Sequence, residues 1–126
     1  MLTNTPTTAT ILIAEDEPLV RKMLSYRLQK EGFNVLQAAD GKEALECLKN
    51  NVPDMVITDL MMPYHNGLEV LEYVKRSMSD IPVIILSASG QEPSVLKAFS
   101  LGADDYTVKP FSPNELMTRV RRHLKK

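Results

Sequence analysis

Five short runs rich in β-branched and aliphatic residues alternate along this chain with five longer segments of helical period, and that alternation limits the fold more than any other feature. The runs are TILIA (10–14), NVLQA (34–38), MVIT (55–58), PVIIL (82–86) and DYTV (105–108). Between and after them, apolar residues recur at i, i+3/i+4. The sets are Leu19, Val20, Met23, Leu24 and Leu28; Ala44, Leu45 and Leu48; Leu68, Leu71 and Val74; Val95, Leu96 and Phe99; and Leu116, Val120 and Leu124. A strand that feeds a helix rejoins its sheet through a crossover, and right-handed crossovers put helices on both faces. The expected fold is α/β: a doubly wound, five-stranded parallel sheet with five helices. Helix boundaries agree. Pro18 suits a first turn, Asp40 with Glu43 resembles a capping box, and Ser112-Pro113-Asn114-Glu115 is a fuller one. Gly32 and Gly102 stand where C-terminal caps belong.

A chain of 126 residues supports one such domain, expected over 10–126 behind a flexible tail over 1–9. No apolar run approaches the roughly 20 residues of a membrane span, and the start MLTNTPTTAT lacks the basic and apolar regions of a signal peptide. A net charge of −1 offers no general attraction to nucleic acid or anionic membrane. The basic end RVRRHLKK is read as cations at a helix C-terminus rather than a nucleic-acid patch. A single cysteine, Cys47, forms no internal disulfide, so a reducing cytoplasm is the expected setting.

The stretch MVITDLMMP (55–63) then poses a chemical question, because a strand this apolar ends in Asp59. Alone, Asp59 is either a helix cap or part of a charged site. The other strand ends decide. In a parallel sheet, Glu15-Asp16-Glu17, Asp59, Ser87-Ala88 and Lys109-Pro110 all lie at the carboxyl edge, where doubly wound folds bind ligands. Clustered carboxylates protonate or recruit a cation. Oxygen donors with neither His nor Cys suit Mg²⁺, with Mn²⁺ as a substitute. An added lysine and hydroxyl stabilise a phosphoryl group in transfer better than they serve acyl chemistry.

Glu15-Asp16, Asp59 in DLMMP, Ser87-Ala88, Tyr106 and Lys109-Pro110-Phe111 together resemble the receiver domain of two-component response regulators, over residues 10 to 124. The resemblance implies the flavodoxin-like strand order 2-1-3-4-5 and a cis Lys109–Pro110 bond. It implies that Asp59 accepts a phosphoryl group from a histidine kinase or a histidine phosphotransfer protein. Asp16, Asp59 and the Met61 main-chain carbonyl would hold Mg²⁺, with Glu15 acting through water. Lys109 would pair with Asp59 and then with the phosphoryl oxygens, Ser87 would hydrogen-bond them, and Tyr106 would swing inward as Ser87 moves. Receivers of this kind are signalling switches rather than enzymes, although they promote their own phosphorylation and slow dephosphorylation. Where most members carry Asp-Asp, this chain has Glu15-Asp16, which predicts an altered affinity for Mg²⁺. The run LGADDYTVKPFSPNELMTR most resembles receivers that precede winged-helix DNA-binding domains. That implies a phosphorylation-dependent homodimer through the fourth helix, fifth strand and fifth helix, with Lys97, Asp105, Glu115 and Arg119 as cross-pairing candidates.

Competing readings are weaker. A haloacid-dehalogenase-type phosphatase also uses a strand-end aspartate with Mg²⁺, but needs an acid two residues on, where Met61 stands. A flavodoxin-type nucleotide site needs glycines and free N–H groups where this chain has EDEPL. His65 has no second His or Cys placed to join it and is read as an ordinary loop residue; Cys47 is read as a small, half-buried helix residue.

Overall fold

All five runs become strands of one parallel sheet: β1 (Thr10–Ala14), β2 (Asn34–Ala38), β3 (Met55–Asp59), β4 (Val83–Ser87) and β5 (Asp105–Val108). β3 takes in Asp59, and β4 starts and ends one residue later than expected and takes in Ser87. Both shifts draw residues of interest into the hydrogen-bonded ladder. The order is β2-β1-β3-β4-β5, as expected. The structure, a computed structural model, describes residues 8–124. Most of the expected tail therefore lies outside the described residues, and at its end the Ala9 carbonyl already accepts from the Asn34 N–H. The helices are α1 (Pro18–Lys30), α2 (Gly41–Asn50), α3 (Gly67–Ser77), α4 (Glu92–Ser100) and α5 (Pro113–Leu124). No helix among the described residues is long and apolar enough to cross a membrane.

Alternation along the strands divides the core in two. Leu12, Val56, Val83 and Ile85 face Ala44, Leu48, Val70, Leu71, Val74 and Ala98 of α2, α3 and α4. Ile11, Ile13, Met55, Ile57, Ile84 and Leu86 face Leu24 and Leu28 of α1 and Leu116, Met117 and Val120 of α5. Because both faces are covered, β3 and β4 are buried throughout, which is why they read as continuous apolar runs.

Periodicity misjudged several helix positions. Leu19 and Met23 on α1, and Leu96 and Phe99 on α4, are exposed, although each continues an apolar i, i+3/i+4 series. Each helix meets the sheet along one narrow stripe, and these residues lie beside it. Caps also differ in detail. Gly32 and Gly102 have the positive φ of C-terminal caps (100° and 104°), and Asp40 accepts from the Glu43 N–H. The complete reciprocal capping box belongs to Asn66 and Glu69 at α3; at Ser112 only the Glu115 N–H bond to the hydroxyl is made.

Candidate functional site

The sheet's own hydrogen bonding carries the site residues past the strand ends. The Glu15 N–H donates to the Ala38 carbonyl (3.1 Å), the Leu60 N–H to the Leu86 carbonyl (2.8 Å), and the Lys109 N–H to the Ser87 carbonyl (2.8 Å). Ala14 pairs in register with Thr58, so the next residue of each strand, Glu15 and Asp59, comes to the same level. Residues far apart in sequence thus meet at one edge of the sheet.

A cavity of about 430 Å³ at that edge is lined by Asp16, Asp59, Met61, Ser87, Ala88 and Lys109 among others. One carboxylate oxygen from each of Glu15, Asp16 and Asp59 lies within 4.8 Å of the others. Lys109 Nζ donates to Asp59 Oδ2 at 3.3 Å and, more closely, to Glu15 Oε1 at 2.8 Å. Asp59 is 7% exposed, and its second oxygen accepts from the Leu60 N–H at 2.9 Å. Burial first, and then the neighbouring Glu15 charge, raise the Asp59 pKa to about 6, against the pull of Lys109. Burial works to lower the Lys109 pKa, but the Glu15 hydrogen bond and the Asp59 charge outweigh it and hold the ammonium above its ordinary value.

Three carboxylates facing one ammonium leave the cluster short of positive charge, which adds to burial in raising the Asp59 pKa. A hard divalent cation with oxygen ligands fits this donor set.

The remaining expected residues fall into two groups. Ser87 is buried in the cavity wall, where its Oγ accepts from the Ser89 N–H (3.0 Å). Tyr106 is already inward and buried, and its hydroxyl donates to the Ser89 carbonyl at 2.7 Å. Ser89 therefore joins Ser87 to Tyr106. Nothing in sequence marks it, since the link depends on a loop folding back over β5. The Lys109–Pro110 bond is cis.

The dimer-face candidates lie away from the cavity. Asp105 is 6% exposed and already accepts from Arg119 (2.5 Å), Arg122 (3.2 Å) and His123 (3.1 Å) of its own chain, while Glu115 lies 3.8 Å from Arg119. Lys97 is exposed on α4. His65 pairs with Glu69 one helical turn on, and Cys47 is half-buried and accepts a weak bond from Asn51, in keeping with the plain readings of both.

The loop leaving Asp59 carries one backbone conformation unfavourable to its residue. Tyr64 has φ of 72°, a left-handed value, with its side chain exposed. Such a conformation costs a non-glycine residue roughly 1–2 kcal/mol, and asparagine tolerates it best. Tyr64→Asn is expected to stabilise the fold by about 0.5–1 kcal/mol in urea denaturation. A loss of stability would show that the tyrosine ring makes compensating contacts.

A family model described as the response regulator receiver domain matches residues 11–121. The probable transcriptional regulator ycf27 of Guillardia theta is 44% identical over 116 residues, which are 92% of this chain and 45% of that protein. The alkaline phosphatase synthesis transcriptional regulatory protein PhoP of Bacillus subtilis is 36% identical over 116 residues, 92% of this chain and 48% of its own. This chain spans about half the length of the curated relatives it matches. Among solved structures, the BeF3-activated DrrB receiver domain, from Thermotoga maritima, has a TM-score of 0.90 at 32% identity, covering 95% of this chain and 100% of that one. TrrA of the same organism, in complex with Mg²⁺–BeF, has a TM-score of 0.83 at 35% identity, covering 92% and 99%.

Proposed function

Since the chain belongs to the response regulator receiver domain family, we propose that it is a phosphoacceptor switch that takes a phosphoryl group onto Asp59 from a histidine kinase or histidine phosphotransfer protein. The observation that carries this reading is Asp59 itself, a buried strand-end carboxylate facing one ammonium and two further carboxylates. An Asp59 oxygen attacks the phosphorus in line, forming a P–O bond as the P–N bond to the donor imidazole breaks, and the imidazole departs with the electron pair. Lys109 moves onto the phosphoryl oxygens, and Ser87 exchanges the Ser89 N–H for a phosphoryl oxygen, to which its hydroxyl donates. Asp16, Asp59 and the Met61 carbonyl would hold Mg²⁺, which would supply positive charge beside the transferring group. Mn²⁺ is the expected substitute.

Ser87 and Tyr106 share Ser89, so movement at the phosphoryl group reaches the outer face of α4, β5 and α5. That face exposes Leu96, Phe99 and Val108. The proposed output is homodimerisation through this face on phosphorylation. Lys97, Asp105, Glu115 and Arg119 serve as its polar contacts, and Arg119 exchanges its in-chain partner for one across the interface. Sedimentation with and without beryllofluoride tests this, and a monomer under both conditions would refute it. The domain does not itself bind nucleic acid or membrane in this reading. Its setting is the cytoplasm, with which the lone thiol of Cys47 agrees.

The phosphatase alternative has no support. The matched family is that of receivers, and Met61 stands where the required acid would be. In place of turnover, the chain promotes its own phosphorylation and slow dephosphorylation. The direct test is incubation with a small phosphodonor and Mg²⁺, followed by intact-protein mass measurement. Gain of one phosphoryl group, dependent on the metal, is expected; its absence under conditions that label other receivers would sink the proposal.

A further inference from the structure

Two adjacent methionines follow the strand-end aspartate, and the fold separates them. Met62 packs half-buried against the core shared by α2, α3 and α4, whereas Met61 is 73% exposed and lines the cavity that holds Asp59. Among the described methionines Met61 is the most exposed. Met55 and Met117 are buried, Met62 and Met78 are half-buried, and Met23 is 44% exposed. The backbone on either side keeps Met61 in place. Leu60 gives its N–H to the Leu86 carbonyl and takes the Gly67 N–H on its own, and the Pro63 carbonyl accepts from His65 and Gly41. An oxidisable thioether is therefore held beside the phosphoacceptor and open to solvent.

Leu60, Met61 and Ala88 make up the apolar part of the wall around Asp59. A phosphoryl group on a carboxylate is lost when water attacks the phosphorus, so an apolar neighbour prolongs its life by holding no water. A thioether is a weak acceptor and suits that role. A sulfoxide is polar and binds water through its oxygen.

We propose that Met61 is a redox modification site: a hydroperoxide oxidises its thioether to the sulfoxide, which then shortens the life of a phosphoryl group on Asp59. In the first step a sulfur lone pair attacks a peroxide oxygen, and an S–O bond forms as the O–O bond breaks. The sulfur gives up two electrons. With hydrogen peroxide, the proton on the transferred oxygen passes to the departing hydroxide, which leaves as water. In the second step the sulfoxide oxygen accepts from a water and holds it near the phosphorus. That water attacks and releases a proton to solvent, the P–O bond to Asp59 breaks, and the carboxylate departs with the electron pair as inorganic phosphate forms. The change is reversible, since methionine sulfoxide reductases return the thioether. The second step rests on the proposed function; the first does not.

The modification is tested without a phosphodonor. Wild-type protein given a brief exposure to hydrogen peroxide, then mapped by peptide mass, should be oxidised at Met61 at least as fast as at Met23, with Met55 and Met117 last. Reaction at Met61 no faster than at half-buried Met62 or Met78 would overturn the assignment.

The consequence is tested by labelling with acetyl phosphate and Mg²⁺, removing the donor, and following loss of the phosphoryl mass. Peroxide should shorten the lifetime about fivefold in wild type and in Met23→Leu, but by less than about twofold in Met61→Leu, each against its own untreated sample. Fivefold is modest beside the roughly 10²–10⁴ of a general base, because the sulfoxide orients the water without taking its proton. Met61→Gln, whose amide oxygen stands in for the sulfoxide oxygen, should be short-lived without peroxide. Equal shortening in Met61→Leu would assign the effect to another methionine and end the proposal, as would an unchanged lifetime with Met61 fully oxidised. Wild-type protein that takes no label at all would count against the proposed function, and the order of oxidation would then judge Met61 by itself.

Discussion

Asp59→Asn should abolish phosphoryl uptake and, in the same protein, raise stability above about pH 6. The two effects share a cause. The Asp59 carboxylate is kept in a site that disfavours its charge, because burial and the Glu15 charge outweigh the pull of Lys109. Below the unfolded value of 3.8, the group is protonated in both states and takes nothing from stability. As pH rises through about 6, the folded protein must ionise a buried acid, and the stability present at low pH is lost. The gap between 3.8 and about 6 corresponds to a penalty on the order of 3 kcal/mol above that range. Asparagine removes the charge and retains the oxygen that accepts from the Leu60 N–H. Urea denaturation in a chelator should therefore show the Asp59→Asn variant more stable than wild type by on the order of 3 kcal/mol above pH 6, with the gap closing as pH falls to 3.8. Adding Mg²⁺ should narrow the gap, since a cation bound to Asp59 favours the wild-type folded state. Equal stability of the two proteins across this pH range would mean that the site is better compensated than its geometry indicates. Labelling that persists in the variant would remove Asp59 from the mechanism.

A large structural effect is expected at Gly67, the first residue of α3. A Cβ there would lie 2.2 Å from the Asp59 carbonyl oxygen and 2.9 Å from the Leu60 Cα. Both are backbone atoms, and neither can yield. The Leu60 N–H is bonded to the Leu86 carbonyl and to Asp59 Oδ1, while the Gly67 N–H donates to the Leu60 carbonyl at 2.8 Å. Alanine is the better helix former by roughly 1 kcal/mol, so steric conflict alone decides the sign. Gly67→Ala should destabilise by about 2–4 kcal/mol and slow phosphorylation, because either α3 moves or the Asp59 backbone does. Gly90→Ala is a useful contrast, since its Cβ would meet only the Val108 side chain, at 3.2 Å. Thermal or urea denaturation of the two variants, with amide spectra to locate the displacement, checks the expectation. A Gly67→Ala protein within about 0.5 kcal/mol of wild type would contradict it.

Much of the site was legible in the sequence because its logic is local. Strand-end residues can be read wherever a β-rich run stops, and parallel crossovers force every such end to the same edge of the sheet. That is enough to bring Asp16, Asp59, Ser87 and Lys109 together without any coordinates. Resemblance to receivers then assigned roles that spacing alone left open. What remained hidden was the choice between chemically similar neighbours. Ser89 looked no different from other serines, yet its backbone joins Ser87 to Tyr106. Asn66 and Glu69 share the spacing of Asp40 and Glu43, yet only at α3 does the glutamate return to the cap N–H and complete the box.

From its sequence this protein could be read as a five-stranded doubly wound domain with an acidic, lysine-bearing edge, because hydrophobic period and strand direction are properties of short segments. Tertiary structure alone decided which of the apolar helix residues are covered and which of the paired acids meets the cavity. Leu19 and Phe99 continue apolar stripes but lie beside the line where their helices touch the sheet. Glu15 and Asp16 differ by one position and one methylene, yet only the packed sheet edge sends one to Lys109 and leaves the other facing solvent. Burial and partner choice are fixed by what covers a residue from elsewhere in the chain, and no local pattern carries that information.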